Sequence, residues 1–213
     1  MELSKAIKER RSVRKFSDKR VEREDLRKII EAANYAPSAC DIQGWRFIVI
    51  DDRRLLQKII DAGAAAFIKN APLGVIVVYD NQTDNVEYQD HIQSGAAAIE
   101  NMILMAHSLN IGSCWVCHLP TKKQLRKILK IPSYYDPIAY IALGYYKEKP
   151  RPRARKRKIS DLIAVNKFNF EEKKHGIGLG LKARRVGRKI YYKIPFRKYI
   201  KPVVDKKFEK KFD

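Results

Sequence analysis

Residues 89–109 read QDHIQSGAAAIENMILMAHSL, and this stretch decides the fold. Alanine favours helix, and the apolar residues recur at helical spacing, at Ile92, Ala96, Ile99, Ile103 and Ala106. A helix with so much apolar surface has to be covered by other parts of the chain. Asn110-Ile111-Gly112 then ends the pattern. We therefore expect one long, mostly buried helix at the centre of the molecule.

Shorter apolar runs and amphipathic segments flank this helix along the chain. Runs rich in β-branched and aromatic residues predict four strands, at residues 45–50, 73–79, 113–117 and 138–145. Helical spacing predicts further helices at residues 22–34, 53–61 and 121–129, the last with Thr121 as its N-cap. The long central helix and the small number of strands favour an α+β fold over a doubly wound parallel sheet.

The net charge of +21 is distributed unevenly along the 213 residues. Residues 147–213 contain 24 lysines and arginines against 7 aspartates and glutamates, whereas residues 1–146 have a net charge of only +4. The excess therefore belongs to the C-terminal third, where it predicts attraction to anions. The change in composition indicates a domain at residues 1–163, ending near Ile163, and a basic C-terminal extension at residues 164–213.

Composition also bears on location. No run of 18 or more apolar residues is present, so the sequence predicts no transmembrane helix. The first residues, MELSKAIKERRSVRKF, are charged from the start and do not resemble a secretory signal. Cys40, Cys114 and Cys117 are too few to form a disulfide framework in a chain of this length. We expect a cytoplasmic protein.

Three separated segments carry the chemistry. The first is RRSVRKF at residues 10–16, and the second is APSACDIQGWRF at residues 36–47. The third is ALGYY at residues 142–146, followed by a basic run and by ISDLI at residues 159–163. In this order and spacing the three segments resemble the nitroreductase family, and the resemblance extends over residues 1–163.

The resemblance implies an FMN-dependent oxidoreductase that takes hydride from NADH or NADPH. Its small-molecule electron acceptor would be a nitroaromatic, a quinone or a related electrophile, reduced by a ping-pong mechanism. The implied fold is a central mixed or antiparallel sheet flanked by helices. The implied assembly is a homodimer with flavin at the subunit interface and a C-terminal extension that wraps the partner. Because the flavin carries the chemistry, no side chain is required as an acid or base.

The first segment is suited to the phosphate end of FMN. Guanidinium forks and a hydroxyl are the donors that a phosphate monoester needs. The resemblance assigns the phosphate and the ribityl chain to Arg10, Arg11, Ser12 and one of Arg155 or Arg157. It places Arg14 at the ring edge, where reduced flavin is anionic and a fixed cation raises the reduction potential.

The second segment is expected at the flavin ring. The resemblance assigns Gln43 to the ring edge, and Pro37, Ser38 and Ala39 of the partner subunit to the ring face. Asp41 also lies in this ring-binding segment, where the family usually has Asn, and Gly44 stands where it has Pro. A carboxylate donates a hydrogen bond only when it is protonated, so Asp41 changes one polar contact.

The strand after the long helix is expected to bring its backbone close to flavin N5. By position this part of the strand is Val116-Cys117-His118, and His118 could lie near the substrate. Cys114-Trp115-Val116-Cys117-His118 also matches the attachment pattern of c-type haem and resembles a redox dithiol. The missing export signal and the predicted buried strand both disfavour these readings.

Other motifs are weak. His91 and His107 on the long helix are too far apart to pair, and no residues have metal-ligand spacing. Gly176-x-Gly178-x-Gly180 lacks the flanking strand and apolar helix of a phosphate loop. Residues 191–193, 197–199 and 206–212 interleave aromatic and basic side chains, as nucleic-acid grooves and membrane-surface segments do. An alternative function is therefore a flavin-binding scaffold whose basic tail docks on an anionic membrane or on nucleic acid.

Overall fold

The computed structural model describes residues 1–83, 85–148, 150–151, 153–170 and 178–193. The chain divides into two compact units, Met1–Pro150 and Arg151–Asp213. The expected division near Ile163 stays a prediction. The described α-helices and strands of the first unit are α1 (Leu3–Glu9), α2 (Arg23–Asn34), β1 (Trp45–Ile50), α3 (Arg53–Asp61), β2 (Leu73–Asp80), α4 (Asp90–Ser108), β3 (Gly112–Val116), α5 (Lys122–Leu129) and β4 (Tyr135–Gly144), and two 3₁₀-helices lie at Ala39–Asp41 and Ala66–Asn70.

The four strands form one antiparallel sheet in the order β1-β2-β4-β3. The α+β class is therefore confirmed, and the sheet is the antiparallel form of the expected one. Strands β2 and β4 lie at its centre and pair from Leu73 and Leu143 to Asp80 and Tyr135, with an irregularity between Val77 and Val78. Strands β1 and β3 are the two edge strands of the sheet.

Both faces of the two central strands are buried. Val75, Val77 and Ile141 pack on one face with residues of α2 and α4, whereas Ile76, Val78 and Tyr140 pack on the other with residues of α3 and α5. A strand that is covered on both faces has no solvent side on which to place polar residues. This explains why LGVIVVY and IAYIALG are continuous apolar runs and do not alternate.

Helix α4 is the predicted central helix. Ala98, Ile99, Met102 and Ala106 are completely buried against the sheet and α2. Gly95 lets the helix approach β4 closely, because a Cβ at this position would lie 3.1 Å from Cγ1 of Ile138. The predicted helices α2, α3 and α5 are also present, and the side chain of Thr121 caps α5 as expected.

Close packing inside the sheet also fixes the residue at position 74. A Cβ there would lie 1.8 Å from Oη of Tyr140, so β2 needs a glycine opposite this ring. Burial raises the pKa of the Tyr140 hydroxyl, which accepts and donates no hydrogen bond among the described residues. The Tyr140 ring therefore serves as a packing element of the core.

Several strand boundaries differ from the sequence-based prediction, and two of the differences have a clear physical consequence or cause. Strand β3 ends at Val116, so Cys117 lies beyond it and is exposed, and the prediction of a strand through Cys117 is wrong. Strand β4 begins at Tyr135, ahead of the predicted Ile138, because the polar residue Asp136 is buried there among cationic partners. Apolar patterning misses a strand residue whose charge is neutralised locally.

The second unit contains a short 3₁₀-helix at Ile159–Leu162 and helix α6 (Leu179–Lys193). Helix α6 was not predicted, because its glycines and basic residues mask the helical pattern. Gly176 and the basic-aromatic runs at residues 197–199 and 206–212 lie outside the described residues. In the described ranges, no helix combines the length and apolar character needed to cross a bilayer.

Asp136 joins four elements at one end of the sheet. It is 7% exposed, its Oδ1 accepts from Asn81 Nδ2 at 3.0 Å, and its carboxylate also pairs with Lys122 and Arg126 of α5. Nε2 of His91, on α4, lies 3.5 Å from Oδ2. Burial acts to raise the pKa of Asp136, but the hydrogen bonds from Lys122 and Asn81 and the nearby cationic charges lower it overall.

Replacing the Asp136 carboxylate should lower stability by an amount that depends on pH. Asp136→Asn should lower the free energy of unfolding by about 2–3 kcal/mol at pH 7, because Lys122 and Arg126 lose their anionic partner. The pKa of Asp136 is lowered in the folded state. The stabilisation by its ionised carboxylate is therefore present above the unfolded-state pKa of about 3.9 and is lost as the pH falls through the folded-state pKa. Urea unfolding from pH 7 to pH 3 measures it. Exposed Asp18→Asn is the matched control, and an Asp136→Asn effect that is equal at both pH values would contradict the assignment.

Candidate functional site

The segment at residues 10–16 lies along the outer side of β3. Ser12 forms a parallel bridge with Ser113, and the Val13 amide donates to the Ser113 carbonyl at 2.9 Å. Val13 and Phe16 are buried and anchor the segment on the core, whereas Ser12 is exposed. The apolar anchors therefore hold the intervening polar residues at the sheet edge.

Three arginines of this segment take different positions. Nε of Arg10 lies 4.0 Å from Oε1 of Glu100 on α4, at the limit of an ion pair. Nη1 of Arg11 donates to the carbonyls of Lys8 and Arg10 at 2.7 Å each, which satisfies carbonyls at the C-terminal end of α1. The third arginine, Arg14, stands over an aromatic ring of the adjoining 3₁₀-helix.

The 3₁₀-helix Ala66–Asn70 and the residue before it contact both the arginine segment and the backbone that follows β3. The guanidinium carbon of Arg14 is 5.6 Å from the centre of the Phe67 ring, a cation–π contact. The amide of Ala65, just before the 3₁₀-helix, donates to the carbonyl of His118 at 3.0 Å. The structure therefore brings Arg14 and the backbone after β3 close to the same 3₁₀-helix, and their predicted roles at the flavin stay predictions.

The residues at the end of β3 differ in exposure. Val116 is buried, Cys117 is exposed and His118 is half-buried. Burial raises the pKa of the Cys114 thiol, against the opposing influence of Arg14, Ser12 and Arg10. A buried thiol with a raised pKa stays protonated at neutral pH and is a poor nucleophile. This supports a packing role for Cys114 over that of a redox dithiol.

The loop at residues 37–43 has an unusual backbone. Cys40, Asp41 and Gln43 have φ angles of 49°, 55° and 50°, in the left-handed region that most residues avoid. Local hydrogen bonds hold this conformation. The Gln43 amide nitrogen donates to Oγ of Ser38 at 3.0 Å, and Nε2 of Gln43 donates to Oδ1 of Asp41 at 2.7 Å. Asp41 thus orients the Gln43 side chain, a contact that the sequence did not reveal.

Residues outside residues 36–47 also pack against this loop or bond to it. Oγ of Ser94, a buried serine on α4, accepts from the amide of Ala39 at 3.1 Å. A Cβ at Gly44 would lie 2.9 Å from the Tyr79 ring and 3.0 Å from Cβ of Asp80, so the glycine in place of the family's proline relieves a close contact. The sequence signal for Ser94 was a lone hydroxyl on an otherwise apolar helix face.

Helix α4 thus anchors both predicted segments, through Glu100 to Arg10 and through Ser94 to Ala39. These two anchor positions are about 9 Å apart along the helix axis. Arg155 and Arg157 belong to the second unit, where both are exposed, and their predicted role at the phosphate stays a prediction. In the part of the chain that the structure describes, no group of His, Cys, Asp or Glu side chains could hold a metal ion.

Comparison with known proteins agrees with this geometry. A sequence profile described as the nitroreductase family matches residues 7–72 and 56–145. A protein of Methanothermobacter thermautotrophicus, provisionally named NADH dehydrogenase/NAD(P)H nitroreductase, is 36% identical over 176 residues, covering 81% of this chain and 88% of that protein.

Two solved structures share the fold. An FMN-dependent nitroreductase of Clostridium difficile is 33% identical with a TM-score of 0.68, and the match covers 76% of this chain and 98% of that one. A nitroreductase with bound FMN from Bacteroides fragilis is 28% identical with a TM-score of 0.64, and the match covers 78% and 99%.

The anchor at Ser94 makes a local prediction. Ser94→Ala removes the acceptor of the Ala39 amide, so we expect a loss of about 1 kcal/mol in stability and faster amide exchange at residues 38–43. Hydrogen–deuterium exchange with mass spectrometry measures the second effect. Ser108→Ala is the control, because in the described part of the chain the Ser108 hydroxyl bonds within its own helix turn, to Met105. Unchanged exchange in the loop of Ser94→Ala would show that Ser94 does not hold it.

Proposed function

This chain belongs to the nitroreductase family, and from that premise we propose that it reduces a nitroaromatic, a quinone or a related small electrophile by a ping-pong mechanism. At the coarser level, the family and the similarity to FMN-dependent nitroreductases make it an NAD(P)H-dependent FMN oxidoreductase. One observation carries the proposal for this chain. The family-matching residues Arg10, Ser12 and Arg14 are held together at the edge of β3, beside the backbone that follows the strand.

The donor set fits an FMN phosphate. A phosphate monoester carries nearly two negative charges and accepts several hydrogen bonds. Arg10 is partly exposed and, among the described residues, its guanidinium makes a long ion pair with Glu100, so its fork can turn to a phosphate, and Ser12 is exposed beside it. We assign the phosphate and ribityl chain to these two residues together with Arg11 and one of Arg155 or Arg157.

The remaining residues would bind and orient the ring. Bound FMN supplies hydride transfer, first from NADH or NADPH and then to the acceptor. Arg14 holds a fixed positive charge at the edge next to Phe67, where it stabilises negative charge on a bound ring. The backbone of Val116, Cys117 and His118 forms the adjoining wall. Asp41 takes one N–H of the Gln43 amide, so the amide presents its oxygen and its other N–H in a set orientation.

We also propose a homodimer in which Pro37, Ser38 and Ala39 of the partner subunit complete the site. Exposed apolar side chains near the two anchored segments support this assembly. Leu3 and Ile7 on α1 are 66% and 50% exposed, and Tyr35 and Ile42 beside the loop are 80% and 54% exposed. Water-exposed apolar surface of this kind is commonly covered by a partner. Wrapping by the C-terminal extension and a cytoplasmic location remain predictions.

The flavin site is tested by titration. The purified full-length chain should be yellow or take up FMN, with quenching of flavin fluorescence. Arg10→Gln and Ser12→Ala should each weaken FMN binding about tenfold to a hundredfold, because each removes a donor to a charged phosphate. Lys8→Gln, an exposed change on α1, should leave affinity unaltered. A colourless protein that takes up no FMN would refute the proposal.

Assembly is tested by sedimentation velocity. We expect a species of twice the monomer mass, and we expect Ile7→Ser with Tyr35→Ser to shift it toward monomer and to lower FMN retention together. The pair Val49→Ser with Val86→Ser, exposed elsewhere in the first unit, should leave the dimer intact. A monomer that still holds FMN would contradict a site shared between subunits.

A further inference from the structure

Helix α6 has an exposed apolar stripe. Leu179, Val186 and Ile190 are 85%, 55% and 55% exposed. Their spacings of seven and four residues place them on one side of a helix with 3.6 residues per turn, and the small residue Ala183 lies between them on the same side. A helix that shows its apolar side to water is incomplete without something to cover it.

The same helix is strongly basic. Residues 179–193 contain six lysines and arginines and no aspartate or glutamate. Lys182 and Arg185 are exposed on the turns between the stripe residues. A surface helix in an ordinary folded domain carries both signs of charge, so this composition points to an anionic partner.

The apolar stripe, together with charge of positive sign alone, distinguishes between possible partners. A second copy of this chain offers no excess of negative charge to α6, because residues 1–146 have a net charge of +4, so the predicted wrapping of the partner subunit would fall to other parts of residues 164–213. A nucleic acid would neutralise the lysines and arginines but would leave Leu179, Val186 and Ile190 in water. A bilayer with anionic headgroups satisfies both features, because the phosphates meet the basic residues and the acyl boundary covers the stripe.

We propose that α6 binds in the surface of an anionic lipid bilayer, with Leu179, Val186 and Ile190 inserted at the acyl boundary and Lys182 and Arg185 at the headgroups. The helix does not span the bilayer. The interaction adds a membrane-docking surface to the enzyme, and none of the residues of α6 is among those proposed to bind the flavin.

The experiment uses the full-length protein and sedimentation with vesicles. We expect binding to vesicles of phosphatidylcholine mixed with phosphatidylglycerol, weakening as salt rises, and little binding to phosphatidylcholine alone. Val186→Ser with Ile190→Ser should weaken binding about tenfold or more, because two inserted side chains lose apolar surface. Val186→Ala with Ile190→Ala should also weaken vesicle binding. Because alanine favours helix, this second variant shows that the weaker binding does not come from unfolding of α6.

Two controls separate the helix from the overall charge. Lys182→Gln with Arg185→Gln should weaken binding about twentyfold, whereas Lys123→Gln with Lys127→Gln on α5, which changes the net charge equally, should not. Val86→Ser, an exposed apolar change in the first unit, should also leave binding intact. Equal binding to neutral vesicles, equal loss in the α5 control, or unchanged binding of both stripe variants would overturn the proposal. Retained vesicle binding by the stripe variants, together with tight binding to an unrelated nucleic acid, would identify a polyanion as the partner.

Discussion

Burial of β2 and β4 on both faces is the constraint on which the rest of this molecule depends. Helices α2 and α4 cover one face, and α3 and α5 cover the other, so the sheet centre contains almost only apolar side chains. Buried polar groups are costly unless they are paired. Asp136 meets this condition through Lys122, Arg126 and Asn81 at the end of the sheet. Apart from the buried Tyr79 and Tyr140 hydroxyls, which have no partner among the described residues, polar side chains of the sheet therefore lie at strand ends and at the edge of β3.

The candidate site follows from this confinement. The arginine segment adds to the edge of β3 through Ser12 and Val13, while its apolar residues enter the core. Helix α4 then acts as the common support, since Glu100 faces Arg10 and Ser94 holds the loop at Ala39. A rigid buried helix that positions two distant loops is a suitable scaffold for a cofactor site, because it sets their separation without using the residues that bind.

The two departures from the family motif have different physical meanings. Gly44 avoids a steric clash, because the Tyr79 ring leaves no room for a Cβ at this position. Asp41 instead changes the polar character of the loop by accepting from Gln43, within a backbone already held in the left-handed region. The first departure concerns packing, and the second concerns the orientation of the Gln43 side chain. The excess positive charge belongs to neither, since it lies in the C-terminal third, where α6 combines it with an apolar stripe.

The sequence by itself determined those elements whose burial is encoded in their own residues: α4, the central strands and the amphipathic helices. Three spaced segments also identified the family, while the site residues that they indicate stay a prediction. Only the tertiary structure decided the end of β3 before Cys117, the start of β4 at a neutralised Asp136, and the support of the loop by Ser94. It also revealed α6, whose glycines and charges conceal its periodicity. The physical reason is that periodicity reports which side of a segment is covered, whereas a strand boundary, a close contact or a hydrogen bond between distant residues depends on which segments meet when the whole sheet packs.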